Sequence, residues 1–285
     1  MKKTVLIILA VLFLFSFTFY FLGVYSTHSF VNSEIERLKT TAMEHPVENF
    51  SFSEIDTLPQ PVQKYFRFAL KEGITKPRFV RIKQTGLFKP NLETDFKTLT
   101  AEHYAITNLP GFIWSGDISF AKVIWVKGID TYFNDTGSLL IKFMSGVTIS
   151  KETGNEIAQA QLVRWLFECF WYPTALLPSD NLKWIPVDST SAQLNFIHND
   201  IEIEAVVHFN EDGSARKLTS QRYMTTTAGP KLTGYTGYFS DYEEVNGIMI
   251  PRHGEVEWKL DTGDFLYGKF DMEKIEFDVF ERFSD

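Results

Sequence analysis

Apolar and polar residues alternate along much of the chain from Phe79 onward, and turn-forming residues cut the alternation at short intervals. The clearest run is Ile201 to Phe209, where every odd position is apolar and the even ones are mostly polar. Successive side chains of a strand point to opposite faces, so such a run reads as a strand with one buried face. His253 to Leu260 and Ala192 to Phe196 repeat the pattern. Between the strands stand Asn134-Asp135-Thr136-Gly137, Asn199-Asp200, Asp212-Gly213, Asn246-Gly247 and Thr262-Gly263. Asn, Asp and Gly tolerate the positive φ angles of tight hairpins, so hairpin after hairpin predicts an antiparallel meander. In the last strand the inward set shifts from Phe270 and Met272 to Ile275, Phe277 and Val279. That change of phase predicts a bulge near Glu273 and Lys274.

One helix interrupts the strands. Thr153-Gly154-Asn155-Glu156 has the form of a capping box, with Thr153 as cap and Glu156 reaching back to it. The helix is predicted from about Gly154 to Trp171, stopping before Pro173. Ala158, Leu162, Val163, Trp165, Leu166, Phe167, Cys169, Phe170 and Trp171 then cover roughly 240° of its circumference. Only Gln161, Arg164 and Glu168 form a polar stripe. A helix this apolar is mostly buried. The predicted fold is therefore mainly β: a curved antiparallel sheet, a half-barrel, wrapped around one long apolar helix. A further amphipathic helix is predicted from Leu58 to Leu70. Asp56 or Thr57 would cap it, Val62, Tyr65, Phe66 and Ala69 would form its apolar face, and Gly73 would end it.

Upstream, Thr4 to Tyr25 carries no charge and follows Lys2 and Lys3. At about 1.5 Å per residue, roughly 20 such residues cross a hydrocarbon core about 30 Å thick. The two lysines favour a cytoplasmic N-terminus, which predicts a single-pass protein of the cell membrane with its C-terminal part outside the cytoplasm. A cleaved signal peptide is the alternative, with cleavage after Ser26. The apolar run exceeds the roughly 7–15 residues of a signal-peptide core, which favours a retained anchor. Residues 1–30 are thus read as the anchor. Residues 31–54 are read as a stalk, helical around Ser33–Lys39 and broken at Pro46. No composition break divides the remainder, so 55–285 is read as a single extracytoplasmic β-rich domain.

Lysine and arginine number 28 against 36 aspartates and glutamates, a net charge of −8. The first 30 residues hold two lysines and no acid, so the rest of the chain carries −10. That balance excludes general nucleic-acid binding, which relies on phosphate neutralisation. Residues 60–90 nevertheless carry Lys64, Arg67, Lys71, Lys76, Arg78, Arg81, Lys83 and Lys89 against Glu72 alone. Such a run either faces anionic lipid or is a solvated face paired with acids elsewhere, and charge runs are usually the second.

Familiar catalytic motifs are absent: there is no Gly-x-Ser-x-Gly, His-Glu-x-x-His, Cys-x-x-Cys or Gly-x-Gly-x-x-Gly. His28, His45, His103, His198, His208 and His253 are scattered without metal-ligand spacing, so neither a metal nor a cofactor is expected. Cys169 is the only cysteine, which excludes an intramolecular disulfide; its place on the apolar helix fits a buried structural thiol. His253 and Glu255 share a strand face, which either orients a general base or is simply solvated. Arg164 and Glu168 are more informative, because they stand at i and i+4 on a helix that is otherwise buried. Either they form an ion pair at the edge of the core, or they line the mouth of a cavity and hold a ligand's polar head. An arginine fork suits carboxylate or phosphate oxygens, which makes Arg164 the head-group candidate. Trp165 and Trp171, on the same helix, are core residues first and ligand walls second.

Three segments carry a resemblance. They are Leu58-Pro59-Gln60-Pro61-Val62-Gln63-Lys64-Tyr65, Trp171-Tyr172-Pro173-Thr174-Ala175-Leu176-Leu177-Pro178-Ser179, and Asp241-Tyr242 followed by Asn246 to Trp258. Over about residues 55–280 they resemble a bacterial family of membrane-anchored proteins defined only as a domain of unknown function, which supplies no catalytic residue. Gly247-Ile248-Met249-Ile250-Pro251 and the strand after it also resemble the periplasmic lipoprotein-carrier half-barrels. That second resemblance implies an apolar cavity that holds acyl chains. The expected function is a non-catalytic, membrane-anchored envelope module that binds a lipid or other amphiphile. The alternatives are an anchored enzyme with an unrecognised site or a protein-interaction module.

Overall fold

The structure is a computed structural model and describes residues 2–283. Helix α1 runs unbroken from Lys2 to Glu44, so the apolar run and the stalk segment form one rod. It is the one helix among the described residues long and apolar enough to cross a membrane. Helix α2 spans Gln60–Ala69 and buries Val62, Tyr65, Phe66 and Ala69, the face its spacing predicts. Neither Asp56 nor Thr57 caps it. Pro59 holds the N-cap position without a side-chain bond, and Pro61 sits in the first turn, where a missing N–H is harmless. The helix ends at Ala69, well before Gly73.

Six strands come after it: β1 Phe79–Phe88, β2 Lys97–Ile106, β3 Gly111–Ala121, β4 Ile124–Phe133, β5 Thr136–Phe143 and β6 Val147–Thr153. Helix α3, Asn155–Glu168, comes next and runs into a 3₁₀ turn at Cys169–Trp171. Seven further strands follow: β7 Leu182–Pro186, β8 Ser191–His198, β9 Ile201–Phe209, β10 Ala215–Thr226, β11 Gly229–Val245, β12 Ile248–Leu260 and β13 Gly263–Phe277. All 13 form one antiparallel sheet in the order β6-β5-β4-β3-β2-β1-β13-β12-β11-β10-β9-β8-β7. Two meanders are thus joined by the β1–β13 pair, and α3 connects the two outer edges. To do so it must cross the concave face, which is why the most apolar helix of the domain lies there.

The turn residues behave as their chemistry predicts. Asn134, Asp135, Asn199, Asn246 and Gly247 all take positive φ at hairpin tips. Lys83 pairs with Lys274 and Gln84 with Met272, leaving Glu273 as the extra residue of the expected bulge. The capping box at Thr153 does not form. Thr153 remains the last residue of β6, opposite Ser138, and Gly154 makes the turn into the helix at φ 118°. The helix then packs hard onto β5. A Cβ on Gly137 would lie 2.6 Å from Ala158 Cα, so only glycine permits this approach.

Each face of the sheet has its own helix. The second half of α1 buries Val31, Ile35, Leu38 and Ala42 against Tyr104, Ile106, Ile113, Ile129 and Phe133 on the convex side. α3 lies in the concave trough. α2 closes one end of the trough, where Tyr65 packs on Phe170 and Phe209, and Phe66 on Trp184. The opposite end, at the β1–β2, β3–β4 and β5–β6 connections, stays open.

Most basic side chains of the segment 60–90 are at least partly exposed, Arg81 alone among them being buried, and several meet acids. Arg67 meets Asp56, Lys71 meets Glu244 at 2.5 Å, Lys76 meets Glu54 at 2.7 Å and Arg81 meets Glu276 at 2.7 Å.

Candidate functional site: a cavity beneath helix α3

Between α3 and the concave sheet lies a cavity of about 590 Å³. Ligand pockets occupy about 300–1,000 Å³. Its walls are mainly apolar, with Trp114, Phe167, Trp171, Phe239 and Trp258 among them. Its rim at the open end carries Phe88, Pro90, Phe120 and Ile149.

One polar cluster interrupts the apolar lining. Arg164 Nε donates to Glu168 Oε1 at 2.8 Å, and Arg164 Nη1 donates to Asp130 Oδ2. The guanidinium lies over the Trp114 ring, 4.7 Å from its centroid. Burial pulls the guanidinium pKa down, but Glu168 and Asp130 outweigh it and hold it above its ordinary value. Burial pushes the Asp130 carboxyl up, against the pull of Arg164. The pair expected from the i, i+4 spacing is thus a triad, completed by a strand residue 34 positions away.

Arg222 on β10 is the second buried cation of the lining. Its Nε donates to Ala160 O at 2.9 Å and its Nη1 to Tyr267 Oη at 3.3 Å, and it lies over the Tyr235 ring. Among the described residues it makes no ion pair. Burial depresses its pKa, and the phenols of Tyr235 and Tyr267 more than offset that. Two arginines against Asp130 and Glu168 make the cluster neutral in sum.

Several polar atoms of this lining are buried without a hydrogen-bond partner among the described residues: Asp130 Oδ1, Gln161 Oε1, Glu168 Oε2 and Trp171 Nε1. Buried polar groups are nearly always satisfied, so four orphans around one cavity mark where a ligand or water would bond. Behind them lies His103, fully buried, with Nε2 3.7 Å from Glu168 Oε2. Burial lowers its pKa to about 4, against the attraction of Glu168, so the ring is neutral at pH 7.

The four residues singled out in the sequence separate here. Arg164, Glu168 and Trp171 line the cavity. Trp165 faces away from it: its ring packs on Phe196 and its Nε1 donates to Ile106 O at 3.3 Å. Cys169 is fully buried, its Sγ 3.1 Å from Trp165 O, and burial pushes its thiol well above the ordinary value. His253 is on the sheet surface, where Nδ1 lies 2.6 Å from Asp271 and Nε2 3.5 Å from Glu255. Sequence reasoning missed Asp130, Arg222 and His103. A charged residue at an inward parity was the available signal: Asp130 shares its face with Tyr132 and Gly128.

No curated protein matches the sequence. Solved structures similar to it include a LolA superfamily protein from Nitrosomonas europaea, at 11% identity and TM-score 0.41, covering 78% of this chain and 96% of that one. A DUF1329 family protein from Desulfovibrio piger matches at 10% identity and TM-score 0.37, covering 86% of this chain and 94% of that one. A domain of the outer-membrane lipoprotein-sorting type from Vibrio parahaemolyticus matches at 11% identity and TM-score 0.37, covering 72% and 87%. Residues 48–270 match the family of unknown function DUF6544, and the chain belongs to that family.

Proposed function

We propose that this protein binds an amphiphile in the cavity beneath α3, as a non-catalytic module held at the cell membrane by residues 4–25. The single-pass anchor, residues 1–30, leaves its β-rich domain, residues 55–285, outside the cytoplasm, with 31–54 as the connecting segment. The observation that carries this reading is the cavity itself: about 590 Å³, mainly apolar, with one buried polar cluster. Apolar walls with a few placed polar groups are the usual form of a small-molecule site. The head group meets Arg164, Glu168 and Trp171 from the helix, with Asp130 and Arg222 from the sheet. Arg164 is already bonded to two carboxylates, so Arg222 is the better cation for ligand oxygen. The orphaned oxygens of Asp130, Gln161 and Glu168 ask in turn for donors. A head that carries both, such as a hydroxyl- or ammonium-bearing phosphate ester, fits better than a bare carboxylate.

Native mass spectrometry of the detergent-extracted full chain tests this. Lipid retained by the wild type should be lost in Val256→Trp, which fills the cavity, and reduced at least about tenfold in Arg222→Leu, the loss of one charge-assisted bond. Retention of no lipid, together with no saturable binding of a fluorescent lysophospholipid or fatty acid, would sink the proposal.

A further inference from the structure

The apolar part of α1 leaves the domain at the open end of the half-barrel. Tyr20 Oη donates to Met144 O at 2.9 Å and Thr27 Oγ1 to Ser145 O at 2.6 Å. Between them Gly23 lies so close to Gly146 that a Cβ would strike its carbonyl. Residues 144–146 are the β5–β6 turn, with Met144 and Ser145 at positive φ. The helix is therefore docked on this hairpin tip, and its direction relative to the sheet is set.

Length then places the tip in depth. From Thr4 to Tyr20 the uncharged run rises about 24 Å at about 1.5 Å per residue. That is short of a hydrocarbon core about 30 Å thick. The run continues uncharged to Tyr25, so the β5–β6 turn meets the helix at the boundary of the bilayer rather than beyond it. The side chains at this end suit that depth. Trp125 Nε1 donates to Ser145 Oγ at 3.2 Å, so a Trp and a Tyr both bond to the turn, and these residues favour membrane interfaces. Leu92, Phe120, Val123, Ile124, Phe143 and Ile149 are exposed there, Val123 by 69%. Exposed apolar side chains gathered at one end of a domain mark a membrane or partner surface. The rim of the cavity is built from the same loops, through Phe88, Pro90, Phe120 and Ile149.

The geometry points to an open end that rests on the bilayer, with the β3–β4 and β5–β6 hairpins in the interfacial layer. An acyl chain then passes from the outer leaflet into the cavity without crossing water. The bilayer contact rests on the proposed anchor, and the lipid route also on the proposed cavity function. The full chain in phosphatidylcholine vesicles tests both. Val123→Cys, labelled with nitrobenzoxadiazole, reports the open end, and Glu211→Cys reports the β9–β10 turn at the closed end; Cys169 is buried and stays unlabelled. The label at 123 should be blue-shifted and lose most of its emission when the vesicle lipids carry brominated acyl chains. The label at 211 should do neither. A label at 123 as wet and as unquenched as that at 211 overturns the bilayer contact, whether or not any lipid is bound. The pair Val123→Asp and Phe143→Asp, both exposed and outside the cavity lining, should slow transfer of a fluorescent phospholipid from vesicles several-fold, with the amount bound at equilibrium unchanged. Unslowed transfer overturns the direct route. Absence of any phospholipid binding overturns that route together with the proposed function, and the quenching at 123 still reads the bilayer contact separately.

Discussion

The two faces of the sheet are covered by helices of opposite design. On the convex side α1 offers a narrow stripe, Val31, Ile35, Leu38 and Ala42, and every member is at most 5% exposed. On the concave side α3 is buried nearly all round, yet it leaves about 590 Å³ unfilled and holds Arg164 and Glu168 inside. Local hydrophobicity therefore does not measure how completely a face is packed. A flat stripe meets the convex surface of the sheet along its whole length. A single cylinder about 10–12 Å across cannot fill a trough formed by 13 strands, and the remainder becomes cavity.

Three measurements sharpen or break this contrast. The largest effect is expected at Arg164. Arg164→Leu strands the carboxylates of Asp130 and Glu168 in the interior and should cost about 3–5 kcal/mol in denaturant unfolding. A loss below about 1 kcal/mol would mean that water reaches the cluster freely. Next come truncations on the two faces. Leu38→Ala on the convex side should cost about 2–5 kcal/mol, because it opens a hole in a filled layer. Leu162→Ala and Leu166→Ala, on the packed side of α3, should cost the same. Ile141→Ala in the cavity wall should cost only about 1 kcal/mol, since its side chain already borders space. Equal losses at Leu38 and Ile141 would remove the distinction between the faces.

The third effect is graded by pH. In the unfolded chain His103 takes a proton near 6.5, whereas in the folded chain it does so only near 4. Between those values the unfolded state binds more protons, so stability falls as pH falls, by up to about 1.4 kcal/mol per pH unit. Asp130 acts in the opposite sense: burial raises its folded value above the ordinary carboxylate range, so acid favours the folded state through that group. His103→Leu should flatten the decline between pH 6.5 and 4. An unchanged slope in that variant would assign the acid sensitivity to other groups.

Much of the fold was legible because its signals are local. The alternation of Ile201–Phe209, the Asn246-Gly247 turn and the phase change around Glu273 each depend on residues a few positions apart, and each was found in place. Burial of α3 was legible for the same reason. Its cap was not: Thr153 satisfies the capping pattern but pairs with Ser138, and ladder hydrogen bonds won over the local box. The candidate site was half legible. Arg164, Glu168 and Trp171 stood out as polar or aromatic features of one helix, and Trp165 fell on its far side because Phe196 and the Ile106 carbonyl claim that ring. Asp130 and Arg222 come from strands that the sequence separates from the helix by tens of residues.

The chain's own order of residues determined the strands, the turns, the bulge and the two buried helical faces, since side-chain periodicity acts on the nearest few neighbours. Only the tertiary structure decided that β1 pairs with β13 and that α3 crosses between the outer edges. It alone also placed two arginines and two acids around one cavity and made the end with the apolar rod the open one. Those outcomes come from closing a sheet and docking helices on it, and such closure depends on contacts between residues far apart in the chain.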